Sequence, residues 1–146
     1  MRILESKFVQ GFIKMANDGY LQGWHERNGG NLSYRLKAEE VEMIRPRLNA
    51  PGEWTPIEGG RPTSELPTHL MNHEVKKKLT NGKHRVIYHA HTTNTIALTF
   101  VLPLDDKVFT RELWESATEC PVVFPDGVGV VGWKVPGGRD IAVKTA

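Results

Sequence analysis

The sequence predicts one α/β domain in which helices and strands pack in two or three layers. Two observations lead to this prediction: stretches with helical and strand periodicity alternate along the chain, and 146 residues suffice for one compact domain. Apolar residues make up 39% and charged residues 25% of the chain, as in ordinary globular proteins, which argues against wholesale disorder. A layered arrangement would bury one apolar side of each element.

The N-terminal part of the chain predicts one helix, one strand and a long irregular stretch. Residues 4–20 are expected to form a helix because apolar side chains recur there at spacings of three and four. The polar, glycine-rich residues 24–31 predict a loop, and the alternation over residues 32–36 predicts a half-buried strand. Residues 37–62 show no convincing period, so we expect an irregular segment with a short strand over residues 53–57.

Two helices and a strand are expected in the middle of the chain. Residues 64–79 predict a helix whose first N–H groups Ser64 can cap. Residues 85–91 are rich in β-branched and aromatic side chains, which predicts a strand. Residues 92–101 predict the next helix, which Thr92 can cap.

The C-terminal part is expected to contain two helices and two strands. Residues 109–118 are expected to form a helix. Residues 120–124 and 128–131 predict strands on either side of a Pro-Asp-Gly turn. Asp140 is expected to cap the last helix.

Composition and charge argue against several classes of protein. Nineteen basic and seventeen acidic residues leave a formal net charge of +2, which is too balanced to indicate a nucleic-acid binder. The single cysteine, Cys120, cannot form an internal disulfide or a cysteine-based zinc finger, so we expect a reducing, cytoplasmic location. No apolar run is long enough for a membrane span, and the first residues do not resemble a secretory signal.

The motif His-Ala-His at residues 89–91 carries the most chemical information. Side chains two residues apart on a strand point to the same face, so both imidazoles could bind one metal ion, as in three-histidine zinc sites. The polar residues 92–94 place the pair at a strand-to-helix loop, where α/β sheets usually carry their sites. The alternative is a pair of ordinary hydrogen-bonded histidines. A second pair, His69 and His73, is spaced by one helical turn, and we expect it to be structural.

Two further motifs could serve catalysis or binding. Glu65 follows Thr63 and Ser64 at a helix start, where the helix dipole favours a carboxylate. Beside a metal ion, the same carboxylate could act as a general base. The glycines of Asn28-Gly29-Gly30-Asn31 let backbone N–H groups approach an anion, but Asn and Gly also dominate plain turns. Each motif taken alone therefore stays compatible with a purely structural role.

Three motifs occur in a fixed order along the chain: Asn28-Gly29-Gly30-Asn31-Leu32-Ser33, Pro62-Thr63-Ser64-Glu65-Leu66-Pro67-Thr68-His69 and His89-Ala90-His91-Thr92-Thr93-Asn94. In this order they resemble the class II zinc-dependent sugar-phosphate aldolases. Flanking segments resemble one member of that family in particular, and they include residues 8–11, 23–27, 109–115 and 123–129. The resemblance extends over residues 8–36 and 61–146, and three ordered motifs are much more specific than one.

The resemblance implies a three-layer α/β/α sandwich with a central, largely antiparallel sheet, assembled as a cyclic homotetramer. It also implies retro-aldol cleavage of a ketose 1-phosphate, a small sugar phosphate, with Zn²⁺ as the cofactor. His89 and His91 match zinc ligands of the family, and Glu65 matches its catalytic acid/base. Glu119 matches a carboxylate that assists proton transfer from a neighbouring subunit. The residues that match the phosphate and ketone end of the substrate site are Asn28, Gly30, Asn31 and Ser64.

Two parts of the family pattern are missing from this sequence. The family's third zinc histidine lies in a downstream His-His-Gly or His-Gly segment, which residues 1–146 do not contain. Its Gly-Ser-Gly-type phosphate loop is also missing, because residues 57–60 lead almost directly into the second motif. We therefore expect one aldolase-like domain over residues 1–146 that lacks an internal segment near residues 58–60 and the C-terminal part, with low retro-aldol activity. An omitted stretch, a truncation and a natural short relative are all compatible with this pattern.

Three other functions are open on the sequence alone. Related epimerases and dehydratases share the zinc pair and the Asn-Gly-Gly-Asn loop, although the flanking segments favour an aldolase. A metal-free binding module, like the aldolase-like heads of cytoskeletal adaptor proteins, would need neither Glu65 nor both histidines of residues 89–91. The third alternative is a small α/β domain in which that histidine pair is structural.

Overall fold

The computed structural model describes residues 3–27, 29–44 and 62–146, which fold as helices around a two-stranded antiparallel sheet. No helix within these residues is both long and apolar enough to span a membrane. The elements in chain order are a 3₁₀ turn (Ile3–Glu5), α1 (Lys7–Leu21), β1 (Asn31–Tyr34), α2 (Ala38–Ile44), α3 (Leu66–Leu79), β2 (Val86–His89), α4 (Thr93–Leu98), α5 (Asp106–Ser116), α6 (Cys120–Val123) and α7 (Arg139–Thr145).

The register of the sheet sorts its side chains onto two chemically different faces. Asn31 pairs with His89, and the pairing continues to Tyr34 opposite Val86. Because side chains alternate along a strand, Asn31, Ser33 and His89 share one face. The opposite face is formed by the apolar and aromatic side chains of Leu32, Tyr34, Val86 and Tyr88.

Helix α1 lies on the aromatic face of the sheet. The ring of Phe8 stacks on Tyr34 with centroids 6.2 Å apart and planes inclined by 23°. Near the end of the helix, Gly19 is buried against the hydroxyl of Tyr88. The predicted helix over residues 4–20 is confirmed, apart from its first turn, which is 3₁₀.

Helix α3 lies on the polar face and packs against α7. Ala142 of α7 is fully buried. Asn72 of α3 donates to the Thr145 hydroxyl of α7 over 3.3 Å, which links the two helices. The helix over residues 66–79 and the strand over residues 86–89 confirm both predictions for this region to within two residues.

Helices α5 and α6 pack against each other. Asp105 caps α5, because its side chain accepts hydrogen bonds from the backbone N–H groups of Lys107 and Val108 at 3.0 and 3.1 Å. With this cap the helix begins at Asp106, three residues before the predicted start at residue 109. Phe109 is 4% exposed and anchors the unit.

The predicted strands over residues 120–124 and 128–131 are wrong. Residues 120–123 form α6, with Pro121 in the first turn, where its missing N–H group is not needed. In the second segment, the N–H groups of Val128 and Val130 bond to side chains of α5, the Thr110 hydroxyl at 3.0 Å and the Asp106 carboxylate at 2.6 Å. The two N–H groups are therefore not available to pair with a neighbouring strand.

Three smaller predictions also need correction. The N-cap of α3 is Glu65 rather than Ser64, and the N-cap of α7 is Gly138 rather than Asp140. Part of the segment expected to be irregular forms α2, in which the carboxylate of Glu40 accepts from the Lys37 N–H group over 2.7 Å. The short strand predicted over residues 53–57 lies outside the described residues.

We predict that Phe109→Ala lowers the free energy of unfolding by about 3–5 kcal/mol, because it removes a buried aromatic side chain and leaves a cavity. Phe100→Ala is the matched control: Phe100 is 84% exposed, and its loss should change stability by no more than about 0.5 kcal/mol. Urea unfolding followed by circular dichroism measures both values. Equal effects of the two substitutions would contradict this assignment of the core.

Candidate functional site

A cleft of about 630 Å³ lies beside the polar face of the sheet. It is bounded by the loop before β1, the end of β2, the first turns of α3 and parts of α7 and the segment before it. Six of the predicted site residues line it: Gly30, Asn31, Ser64, Glu65, His89 and His91. A second depression, of about 700 Å³ along α5, contains none of the predicted site residues.

The two histidines at the end of β2 lie side by side. The ring centroids of His89 and His91 are 5.0 Å apart, with the ring planes inclined by 55°. The Nδ1 atom of His91 lies 3.3 Å from the carboxylate of Glu26. The backbone N–H of His91 donates to the Trp24 carbonyl over 2.9 Å. The Nδ1 atom of His89 lies 3.2 Å from the side-chain nitrogen of Asn31. Both rings are therefore oriented by neighbours that precede β1 or begin it.

Burial determines the charge state of His89. Desolvation lowers the pKa of His89 below its ordinary value, and the adjacent His91 lowers it further, while Glu65 opposes the shift. His89 is therefore neutral around pH 7. A neutral imidazole is the form that binds metal ions.

Glu65 is fixed at the start of α3 by two hydrogen bonds. Its carboxylate accepts from the backbone N–H of Gly137 over 2.9 Å and from the hydroxyl of Thr68 over 3.2 Å. Glu65 is half-buried and lines the same cleft as His89. The structure thus brings together a carboxylate and two imidazoles that are distant in the sequence.

The glycines before β1 allow the loop to lie against the histidines. A Cβ atom on Gly29 would lie 2.7 Å from Nδ1 of His91, which leaves no space for any side chain. Gly30 has a φ of +75°, and a Cβ there would lie 3.0 Å from the carbonyl of His89. Both glycines are therefore required by close packing, which a plain surface turn does not explain.

Asn31 connects the loop to the other two motifs. Its side-chain nitrogen lies 3.3 Å from the hydroxyl of Thr63 as well as close to His89. Its Oδ1 atom is buried and has no hydrogen-bond partner among the described residues. The hydroxyl of Thr63 also accepts from the backbone N–H of Glu65 over 3.2 Å. Asn31, Thr63 and Glu65 therefore form one continuous polar edge of the cleft.

One predicted site residue is not described by the structure, and another does not line the cleft. Asn28 lies outside the described residues. Glu119 is exposed at the start of α6, where its carboxylate accepts from the Thr118 hydroxyl over 3.2 Å, and it does not line the cleft. Within residues 3–27, 29–44 and 62–146, no three histidine, cysteine or acidic side chains come close enough to hold a metal ion together.

The sequence gives no indication of several contacts around the cleft. Ser33 lies between the two histidines of α3, 2.6 Å from Nδ1 of His69 and 2.8 Å from Nε2 of His73. Tyr88 bonds to Nε2 of His25 over 2.6 Å, with the two rings arranged edge to face. These pairs depend on strand register and helix placement, which local patterns do not specify.

Comparison with known proteins identifies the family. No protein-family model matches the chain. A rhamnulose-1-phosphate aldolase of Mannheimia succiniciproducens is 42% identical, and the match covers 99% of this chain and 72% of that protein. The enzymes of the same name from Pectobacterium atrosepticum and Escherichia coli are 40% and 39% identical, with 99% of this chain and 71% of each relative covered.

Identity of about 40% over nearly the whole chain places this protein in a class of enzymes, the aldolases that act on a sugar phosphate. The chain belongs to the rhamnulose-1-phosphate aldolase family. The matches extend over 195 residues, so within the matched stretch the relatives carry residues that have no counterpart in the 146 residues of this chain. The predicted position of such a gap, residues 58–60, lies outside the described residues.

We predict that the folded chain loses stability as the pH falls below about 6.5. Burial lowers the pKa of His73 from its ordinary value of 6.5, and His69 and Arg35 lower it further. Because the unfolded chain binds this proton at a higher pH than the folded chain, the free energy of unfolding falls with decreasing pH. The contribution of His73 to the slope is at most about 1.4 kcal/mol per pH unit.

Urea unfolding between pH 7.5 and 5.5 measures this slope. His73→Gln should make it shallower, because glutamine cannot take up the proton. His84→Gln is the matched control, since His84 is exposed, and it should leave the slope unchanged. If His73→Gln left the slope of the free energy of unfolding against pH unchanged, His73 could not be its cause.

Proposed function

We propose that this chain is a zinc-dependent lyase of rhamnose metabolism that cleaves L-rhamnulose 1-phosphate to dihydroxyacetone phosphate and L-lactaldehyde. In this reaction the C3–C4 bond breaks, and its electron pair remains on the C3 side. The hydroxyl on C4 loses its proton and becomes the aldehyde carbonyl. C3 gains a proton, which completes dihydroxyacetone phosphate.

The observation that carries this proposal is the position of Glu65 in one cleft with His89 and His91. A retro-aldol cleavage needs a group that exchanges a proton with carbon and a positive charge near the developing oxyanion. Glu65 meets the first need, because its half-buried carboxylate is held in place by the Gly137 N–H group. The names of the relatives supply the substrate.

The histidine pair fits two positions of a zinc site. Glu26 can accept from Nδ1–H of His91, which leaves the Nε2 lone pair of that ring for a metal. For His89, Asn31 lies against Nδ1, so Nε2 is the ring nitrogen left for a metal; with the carboxamide oxygen of Asn31 toward the ring, Nδ1–H of His89 would donate to it and the Nε2 lone pair would be free. His89 and His91 would therefore hold the ion. Zinc would supply positive charge that stabilises negative charge on the substrate oxygens as the carbon–carbon bond breaks.

The remaining polar edge of the cleft would bind and orient the sugar phosphate. The loop at Gly30 offers backbone to an anion without obstruction by a side chain, and Asn31 offers its side-chain amide. Ser64, which follows Thr63 in the chain and lines the same cleft, would offer a hydroxyl. Glu65 would deliver the proton to C3 during cleavage and remove it in the reverse reaction. Asn28 is proposed for the same end of the substrate by its place in the motif.

The proposal extends to the fold, the oligomeric state and the zinc affinity of the protein. Helix α1 on one face of the sheet and α3 on the other support a three-layer α/β/α sandwich with a larger antiparallel sheet. A cyclic homotetramer in the cytoplasm would allow Glu119 to act on the cleft of a neighbouring subunit. Because the described residues supply only two histidine ligands, zinc should bind weakly and turnover should be slow.

We predict that the chain exchanges a carbon-bound hydrogen of dihydroxyacetone phosphate with D₂O, because this step repeats the proton transfer of the cleavage in reverse. Glu65→Gln should slow the exchange by about 10²-fold or more. Glu74→Gln is the matched control on the surface of α3 and should leave the rate within about twofold. Proton NMR measures the rate. Equal rates with Glu65→Gln and Glu74→Gln would exclude Glu65 as the acid/base.

We further predict that the purified chain binds zinc and that His89→Ala weakens this binding at least tenfold. The exposed His84 provides the control, since His84→Ala should leave zinc affinity unchanged. Competition with a chromophoric chelator measures the dissociation constants without reference to activity. Zinc affinity that does not depend on His89 would place the metal elsewhere.

A further inference from the structure

Three polar side chains, Ser33, His69 and His73, form a buried cluster between β1 and α3. His69 is 3% exposed and His73 is 8% exposed. The hydroxyl of Ser33 lies 2.6 Å from Nδ1 of His69 and 2.8 Å from Nε2 of His73. Sequence analysis predicts a structural role for the two histidines. The hydrogen bonds in the cluster indicate a more specific role for one of them.

The proton inventory of the cluster allows two arrangements. A serine hydroxyl has one proton to donate and two lone pairs that accept. Among the described residues its side-chain partners are the two imidazoles, and accepting from both would leave its own proton unpaired, so it donates to one imidazole and accepts from the other. In the first arrangement Ser33 donates to Nδ1 of His69 and accepts from Nε2–H of His73. In the second, both bonds are reversed, and the remaining proton of His73 lies on its Nδ1 atom.

The Nδ1 atom of His73 decides between these arrangements. It is buried and has no hydrogen-bond partner among the described residues. The second arrangement would therefore bury an unpaired N–H donor, whereas the first leaves an unpaired acceptor lone pair. Orphaned buried N–H groups are rarer in proteins than under-satisfied acceptors. The first arrangement is favoured, and in it the proton of neutral His69 lies on Nε2.

This arrangement gives the cleft a hydrogen-bond donor. His69 lines the cleft together with Glu65 and His89, and its Nδ1 edge is occupied by Ser33. No described group is hydrogen-bonded to Nε2 of His69. A ring that carries its proton on Nε2 has no lone pair there for a metal ion, but it can donate to an oxygen atom. Sugar phosphates carry many such acceptors on their hydroxyl, carbonyl and phosphate groups.

We propose that His69 is a further substrate-binding residue, held by Ser33 and His73 as the neutral Nε2–H tautomer and donating from the cleft wall to an oxygen of the bound sugar phosphate. This proposal rests on the proposed function for its ligand. The tautomer itself rests only on the buried cluster. The two parts can therefore be tested separately.

The first test is histidine ¹⁵N NMR on the full chain at mildly alkaline pH, with signals assigned through the backbone. The proposal requires that His69 shows the shift pattern of a ring protonated on Nε2 and that His73 shows the same pattern. A His69 ring protonated on Nδ1, or an equal mixture of tautomers, would overturn the proposal. His84 provides the reference for a solvent-exposed ring.

The second test compares two substitutions with dihydroxyacetone phosphate as the probe. The side-chain amide of glutamine lies near the former Nε2 position, whereas that of asparagine lies near Nδ1. His69→Gln should keep affinity for the probe within about threefold, and His69→Asn should weaken it at least tenfold. A purely structural role through Ser33 predicts the opposite order, since asparagine preserves that contact.

The outcomes separate this proposal from the proposed function. Equal affinity for the probe with His69→Gln and His69→Asn would overturn the role of His69 and leave the lyase proposal in place. An unsubstituted chain that does not bind dihydroxyacetone phosphate would contradict the lyase proposal and the ligand contact together. The NMR result on the unsubstituted chain decides the tautomer even where a substituted chain fails to fold.

Discussion

The candidate site depends on the antiparallel pairing of β1 with β2. Its register sets Asn31 opposite His89 and Ser33 opposite Ile87, so residues almost sixty positions apart share the polar face. A slip of one residue would turn these side chains toward α1 and bring aromatic side chains toward α3. The cleft, its histidine pair and the cluster around Ser33 would then all be lost. Register is therefore the constraint on which the chemistry rests.

Because of that register, His69 and His73 are buried and His89 is half-buried between the sheet and α3. This burial favours the proposed chemistry but makes the fold sensitive to acid. Burial lowers the pKa values of His69, His73 and His89, which keeps all three rings neutral near pH 7. Neutral rings can donate hydrogen bonds or bind a metal, so the same burial prepares the cleft for its proposed chemistry. It also makes acid destabilising, because each ring takes up a proton more readily when the chain unfolds.

Sequence reasoning succeeds where a signal is local and fails where it is not. The helical spacing of residues 4–20 and the β-branched run at residues 85–91 predict α1 and β2. The run at residues 120–124 has the same strand-like composition, yet it forms α6, because Pro121 fits a first helical turn and each strand needs a partner. The role of Ser33 is invisible for a related reason: it exists only once β1 lies against α3.

The glycine pair shows how motifs that look independent become one unit. Asn-Gly-Gly-Asn alone is typical of a turn, and His-Ala-His alone is compatible with two structural histidines. In the folded chain, Gly29 lacks a side chain where the ring of His91 lies, and the backbone of Gly30 passes the carbonyl of His89. Any side chain at residue 29 would therefore displace a proposed zinc ligand as well as reshape a loop. The constraint on these glycines is thus steric and local to the site. The proposed binding of an anion by the loop would use a conformation that the histidines already require.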